Sequence, residues 1–288
     1  MYGGRLTAMY RPNYIVSDCQ EFDKEEPHNI FVQIIGNMVQ HIYTIDLSDF
    51  IWDMTGFPAS ALTAGTYAKC KHGDVYYKLS QFDGVGFYTY ASYFEEVAYR
   101  LGVVLGINVL KQVSGTALVT LNNEKYVIPV CISKDYGEGV QSRCFLEDAC
   151  GADAISWTKR NGLWEDIQGA FVLDYIINNR DRHEHNFEIL EYAEGYRLAP
   201  LFDNGLSFSV SFCNDNFTLL SRNKPTNNFI GSKFLEDNLD LVEKKYTFSE
   251  NKLYWITECL PLTIQNPVLR YISEAINVLA KRKIIEVK

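Results

Sequence analysis

The chain has 288 residues, of which 47% are hydrophobic and 22% charged, which is ordinary for a globular protein that can bury two small cores. Its net charge of −9 argues against direct nucleic-acid binding, because phosphate backbones attract surfaces rich in lysine and arginine. The sequence has neither an apolar run of membrane-spanning length nor a signal-peptide pattern, so we expect no membrane span.

The first predicted strands lie between residues 30 and 80. Residues 30–52 are β-branched and aromatic, with a turn at Gly36-Asn37, and predict two strands, whereas residues 1–29 give no clear pattern. Residues 55–80 predict a hairpin with its turn at residues 71–74. Small residues between 56 and 66 precede it. Such a loop can lie close over phosphates, although it matches neither the dinucleotide fingerprint nor the P-loop, and a plain hairpin turn is the alternative.

Lys78 is the first candidate site residue. It lies on an apolar strand, and a helix predicted over Tyr90 to Leu105 follows it, with Glu95 and Glu96 in its first half. A kinase holds nucleotide phosphates with a strand lysine that a glutamate on the next helix keeps in place. The alternative is a strand lysine that only faces solvent.

Two more strands are predicted over 107–121 and 125–133, joined at Asn122-Asn123, which makes five or more strands and one helix. The polar, glycine-rich segment 134–143 favours a boundary there. From Trp157 onward the pattern is helical, with predicted helices over 171–177, 227–245, 254–264 and 266–287. The fold class expected is therefore α+β, with a β-rich part at 1–133 and a helical part at 134–288.

The strongest motif lies between Phe171 and Phe208. An apolar helix breaks at residues 178–180, Asp181 follows, Asn186 comes five residues later, and a predicted hairpin at 187–202 leads to Asp203. This is the layout of a phosphoryl-transfer site: one Asp accepts a hydroxyl proton, while the Asn and the second Asp hold magnesium. A polar hairpin whose residues only serve turns is the alternative.

NNRDRHEHNFEI at residues 178–189 and LAPLFDNG at 198–205 resemble the C-terminal lobe of HipA-like kinases and, more distantly, of phosphatidylinositol kinases. The resemblance implies that Asp181 is the catalytic base and that Asn186 and Asp203 are metal ligands. It also implies that His183 helps to order the loop. Asn204 stands where common eukaryotic protein kinases have Phe, which favours the HipA-like family.

The resemblance covers about residues 55–210. The helix register FEEVAYRLGVVLGI resembles the HipA-like helix and implies that Glu95 pairs with Lys78 while Glu96 is its solvated neighbour. Two further elements supply nucleotide-binding candidates. Ser60, Thr63 and Gly65 lie in the small-residue loop expected over the phosphates. Val130 to Ser133 form the hinge expected to meet adenine.

The sequence thus predicts a two-lobed, kinase-like fold and an ATP- and Mg²⁺-dependent Ser/Thr kinase of HipA-like type. The acceptor is a hydroxyl of a protein, a small molecule or a lipid, and a regulatory protein partner is expected. Seven scattered cysteines without a C-x-x-C pair indicate reduced thiols in the cytoplasm. The alternatives are a nucleotide-binding pseudokinase and a metal hydrolase that uses His183 and His185. The chain looks shorter than full HipA proteins, so the sequence does not assign it a toxin–antitoxin role.

Overall fold

A computed structural model describes residues 44–52, 68–80, 90–121, 123–151, 153–208 and 218–288, together with the strand at 30–31. The predicted turn at Gly36-Asn37 and the loop residues Ser60, Thr63 and Gly65 lie outside these residues. The described elements form a mixed α+β fold of three sheets and seven α-helices, in agreement with the fold class expected from the sequence.

The largest sheet has six strands in the order β1-β2-β5-β6-β4-β3. In chain order these strands are β1 Ile30–Phe31, β2 Thr44–Leu47, β3 Lys69–His72, β4 Val75–Leu79, β5 Gln112–Leu121 and β6 Glu124–Lys134. Neighbouring strands are antiparallel except β2 and β5. The predicted hairpin turns are present, and Gly73 (φ 59°) and Asn123 (φ 66°) adopt the left-handed conformation that such tight turns need.

Helix α1, Ala91–Leu105, connects β4 to β5 and ends at Gly106, whose φ of 67° suits the left-handed C-cap. Its apolar side chains, such as Phe94, Val97 and Leu101, pack in one hydrophobic cluster with the C-terminal helices. The six-stranded sheet has a separate cluster of its own around Tyr77, Leu79 and Val130. The sequence assigned α1 to the β-rich part, yet its core is shared with the helical part.

The rest of the chain is mainly helical. Its helices are α2 Leu146–Cys150, α3 Ala154–Arg160, α4 Trp164–Ile177, α5 Leu235–Asn238, α6 Leu253–Thr257 and α7 Leu262–Lys281. A three-stranded antiparallel sheet consists of β7 Ser142–Phe145, β8 Glu188–Tyr192 and β9 Gly195–Leu198, and a two-stranded parallel sheet of β10 Tyr246–Phe248 and β11 Ile285–Val287. No helix in the described ranges combines the length and the apolar character that crossing a membrane requires.

Two helix predictions in this part are wrong. The segment 227–245 holds only the single turn of α5 and a 3-10 turn at 239–241. Its polar side chains bind the local backbone instead, as Asn238 does by accepting from Ser232 N at 2.6 Å. The last helix ends at Lys281, and Lys283 (φ 59°) turns the chain into β11.

Candidate active site

A cavity of about 370 Å³ lies between the six-stranded sheet and the segment that follows α4. Aromatic side chains line one portion of it, among them Tyr76, Tyr136, Phe145 and Phe202. Tyr136 and Phe202 stack with ring centroids 6.3 Å apart. The remaining lining residues carry charged and amide groups. The cavity therefore combines aromatic and polar lining, as ligand pockets commonly do.

Lys78 lies on the wall of this cavity. Alternation along β4 buries Tyr77 and Leu79 in the sheet core, which turns Lys78 to the opposite face. Its Nζ donates to Glu95 Oε1 at 2.9 Å and also to Asp203 Oδ1. The Lys78–Glu95 pair expected from the sequence is therefore present, and a second carboxylate joins it.

The ammonium group of Lys78 and the carboxylate of Asp203 stabilise each other's charge. Burial opposes the charge of Lys78, but the carboxylates of Asp203 and Glu95 outweigh it and raise the pKa of Lys78 well above its usual value. Burial would likewise raise the pKa of Asp203, but the neighbouring Lys78 dominates and lowers it to about 2. At neutral pH the site therefore contains an ammonium group beside the ionised carboxylate of Asp203.

Glu95 is held from the side opposite Lys78. Its Oε2 accepts from Gln112 Nε2 at 3.1 Å and from the backbone amide of Asn204 at 2.8 Å. Gln112 in turn accepts from Cys131 Sγ at 2.9 Å. Each oxygen of this buried carboxylate thus has donors, which fixes where Glu95 meets Lys78.

The prediction that Glu96 faces solvent is wrong. Glu96 is 1% exposed and accepts from Arg100 Nη2 at 2.7 Å, one helical turn later, and from Ser114 N at 2.7 Å. Both glutamates accept hydrogen bonds from β5, Glu95 from Gln112 and Glu96 from Ser114, so two adjacent positions on α1 are buried. Glu95 also contacts Lys78 at the cavity, whereas Glu96 pairs with Arg100.

Arg182 is the residue that sequence analysis missed. It is 1% exposed and donates to both carboxylate oxygens of Asp174 in α4, at 2.9 and 3.1 Å. It also donates to Phe202 O at 2.7 Å and to Asn204 Oδ1 at 2.6 Å. An aspartate within the apolar run FVLDYII was the available signal, because a buried carboxylate requires a cationic partner.

The loop after α4 carries the predicted base and one predicted metal ligand. Asn178 (φ 51°) ends the helix, and a 3-10 turn follows at Glu184–Asn186. Asn186 lines the cavity and donates through Nδ2 to Asp181 O at 2.5 Å, which orients its amide. Asp181 is not itself among the residues that line the cavity; it lies beside Asn186 and His183, which are, and 27% of its side chain is exposed.

His183 contributes little to ordering this loop. Its Nδ1 accepts from His185 N at 3.1 Å, and its Nε2 lies 3.9 Å from Asp181 Oδ2. The strong anchors of the loop come from Arg182 instead. Within the described ranges, His185 groups with Glu147 and Glu184 as possible metal-binding atoms, whereas His183 is not part of this group. The two histidines of the hydrolase alternative line the same cavity, with ring centroids 5.7 Å apart, but no described group of three possible metal ligands contains both.

Asp203 adopts a left-handed backbone, with φ of 59°. Two residues later, Gly205 is explained by packing rather than by a turn. A Cβ on Gly205 would lie 3.0 Å from Ala91 Cβ, so the missing side chain permits a close approach to α1. The unusual conformation at Asp203 directs its carboxylate toward Lys78, an arrangement common at functional sites.

The hinge prediction needs a correction. Val130 is fully buried in the middle of β6, which pairs with β4 on one side and β5 on the other, so its backbone is not offered to a ligand. Ser133, near the end of the strand, does line the cavity. The segment that leaves the sheet beside the cavity begins at Asp135.

Asp135 ties this segment to two sheets. Its carboxylate accepts from Arg143 Nη2 at 2.8 Å, from Lys71 Nζ at 3.1 Å and from Gly137 N at 2.9 Å. Partial burial would raise the pKa of Asp135, but these donors lower it to about 2. The guanidinium of Arg143 lies where a Cβ on Gly137 would stand, at 1.3 Å, so a side chain there would force Arg143 to move from its place beside Asp135.

Comparisons with known proteins find structural similarity only. No protein-family model matches the chain, and no curated protein matches it. Solved structures similar to it include a proinflammatory kinase of Helicobacter pylori, CtkA (18% identity, TM-score 0.48, 84% of this chain and 95% of that one). Another is HipA of Shewanella oneidensis, solved with HipB and operator DNA (13% identity, TM-score 0.37, 97% of this chain and 67% of that one). At these identities and TM-scores the activity of this chain has to be derived from its own residues.

Proposed function

We propose that this protein is an ATP-dependent phosphotransferase with a two-lobed, kinase-like fold. The observation that carries the proposal is Lys78, which bridges Glu95 and Asp203 on the wall of a cavity that Asn186 also lines. In kinases, a strand lysine paired with a helix glutamate holds the phosphates of a nucleoside triphosphate. An Asn and an Asp beside this pair hold the metal ions.

The cavity fits ATP in a defined direction. The aromatic portion, with Tyr136 and Phe202, accepts the adenine ring, next to the segment from Ser133 to Asp135, which also lines the cavity. The phosphates then reach Lys78, and Lys69 of the neighbouring strand lines the same cavity as a second cation. The loop with Ser60, Thr63 and Gly65 remains the predicted cover over the phosphates.

Asn186 and Asp203 would hold Mg²⁺. Asp203 is ionised at neutral pH, and Asn186 uses its amide nitrogen on Asp181 O, which leaves the amide oxygen as its ligand group. Two hard oxygen ligands suit magnesium, which keeps several waters in addition. When bound, the ion would neutralise charge on the phosphates.

Asp181 acts as the base in this proposal. It takes the proton of the acceptor hydroxyl as the hydroxyl oxygen forms a bond to the γ-phosphorus and the bond to ADP breaks. Positioning and electrostatics supply most of the rate enhancement. The acceptor that the HipA-like resemblance implies is a Ser or Thr hydroxyl of a protein, with a regulatory protein as a further partner.

The decisive experiment offers γ-labelled ATP and Mg²⁺ to the wild type and to Asp181→Asn, which preserves shape but removes the base. Parallel reactions contain the protein alone, a cell lysate, phosphatidylinositol vesicles, or water as the acceptor. We expect labelled Ser or Thr with the wild type only. Labelled lipid would move the protein to the lipid-kinase class, whereas ATP binding without transfer in any reaction would make it a pseudokinase.

A further inference from the structure

The segment 225–229 runs alongside the loop that carries Asp181. Asn227 N donates to Arg180 O and Phe229 N to Arg182 O, both at 2.9 Å, and Arg180 Nη2 donates to Pro225 O at 3.2 Å. These bonds pair two segments that are more than 40 positions apart in sequence. Residues on either side of Asp181 are therefore fixed by a part of the chain that the predicted motif does not include.

One contact of this segment reaches the carboxylate itself. Asn227 Nδ2 donates to Asp181 Oδ1 at 3.0 Å, while the other oxygen, Oδ2, lies 3.9 Å from His183 Nε2. The two oxygens of the carboxylate are thereby made different. Oδ1 is held by the amide, and Oδ2 lies on the side of His183, which lines the cavity.

We infer that Asn227 is a positioning residue that sets the Asp181 carboxylate so that Oδ2 receives the acceptor proton. The inference rests on the proposed phosphotransferase function. Rotation of an aspartate carboxylate about χ2 meets only a broad energy well, so without a partner its oxygens spread over many orientations. A hydrogen-bond donor on one oxygen restricts the orientations of the carboxylate about χ2. This favours catalysis, because proton transfer requires a base already within hydrogen-bond reach of the hydroxyl.

The inference is tested with Asn227→Ala and with Asn227→Leu, which keeps much of the volume but lacks the donor. In both variants we expect kcat to fall by about 10- to 100-fold, the scale of one hydrogen bond to a charged group. The KM for ATP and the melting temperature should not change, because Asn227 is an exposed residue and is no ligand of the nucleotide. The matched control is Asn223→Ala, an exposed asparagine of the same loop, which should behave like the wild type.

A double-mutant cycle separates positioning from general structural support. In an Asp181→Asn background, which has no base to orient, Asn227→Ala should lower the residual kcat no further. An equal fold loss in both backgrounds, or a wild-type kcat for Asn227→Ala, would overturn the role of Asn227 while leaving the phosphotransferase intact. Absence of any transfer by the wild type would overturn the phosphotransferase, and this role with it.

Discussion

Glu95 of α1 and Arg182 of the loop after α4 both bind Asn204, which lies between them. The backbone amide of Asn204 donates to Glu95 Oε2 at 2.8 Å, and its side-chain oxygen accepts from Arg182 Nη2 at 2.6 Å. A continuous polar chain therefore runs from Lys78 in the sheet through Glu95, Asn204 and Arg182. An apolar side chain at position 204 could accept nothing from Arg182, which explains why an asparagine suits this site.

The first prediction concerns Arg182. Arg182→Met keeps much of the volume but leaves Asp174 as a buried, uncompensated carboxylate, so we expect a loss of about 3–5 kcal/mol in the free energy of unfolding. Urea denaturation measures it. The control is Arg282→Met, whose guanidinium pairs with Glu236 and Asp240 on the surface and should cost about 0–1 kcal/mol. Equal losses would contradict the structural role of Arg182.

His183→Ala should have a milder effect. It removes one hydrogen bond, from His185 N, and a neutral bond of this kind contributes about 0.5–1.5 kcal/mol. Transfer activity should drop less than in Asp181→Asn, because His183 supports the loop locally. A stability loss as large as that of Arg182→Met would show that the histidine anchors the loop after all.

Lys78→Met should weaken ATP binding by about 10- to 100-fold, since hydrogen bonds to charged groups contribute about 1.5–3 kcal/mol. Isothermal titration with ATP measures it. The control is Lys244→Met, because Lys244 pairs with Glu165 outside the cavity. Lys69 is not a neutral control, since it lines the cavity beside Lys78 and its pKa is lowered by burial and by that neighbouring charge. Equal affinity in the wild type and Lys78→Met would count against the assigned phosphate contact.

Asp181→Asn and Asp203→Asn should separate base from metal ligand. The first should leave ATP affinity within a few-fold and lower transfer by about 10²-fold or more, because it removes only the proton acceptor. The second should also weaken magnesium-dependent ATP binding, which thermal shift with and without Mg²⁺ detects. The reverse pattern, with nucleotide binding lost only in Asp181→Asn, would show that the roles are exchanged.

The stability of the wild type relative to Asp135→Asn should depend on pH. Arg143 and Lys71 lower the pKa of Asp135 in the folded state to about 2, below its value in the unfolded chain of about 3.9. The ionised carboxylate therefore stabilises the fold fully above about pH 4, and this contribution is lost as the pH falls through about 2. Denaturation midpoints of the two proteins should differ at pH 7 and converge near pH 2; a gap independent of pH would refute the assignment.

Local patterns in the sequence predicted much of this fold. Alternation identified β4 and its lysine, and the break at Asn178 located the end of α4. The register of α1 placed Glu95, but not Glu96, correctly. The position of Glu96 depends on what packs against α1 from both sides, and no local pattern encodes this.

The candidate site was less accessible to sequence reasoning than the fold. Arg182 and Asn227 act through partners on distant segments, so spacing along the chain does not reveal them. The error at Val130 has a similar origin. An apolar strand and an apolar linker have the same composition, so composition could not show that Val130 lies within β6 rather than in a hinge. The helix predicted over 227–245 does not form along this whole segment, because asparagine and serine side chains there form hydrogen bonds with backbone groups that a helix would need.

The shared packing of α1 with the C-terminal helices has a mechanical consequence. Glu95 is anchored to the larger body of the protein, whereas Lys78 belongs to the sheet, whose hydrophobic cluster is separate. A tilt of the sheet away from α1 would separate Lys78 and Gln112 from Glu95, and Lys78 from Asp203, while the bond between Glu95 and the Asn204 amide would persist. Any regulator that acts by moving the sheet would then separate Lys78 from these carboxylates while the helical part keeps Glu95 in place.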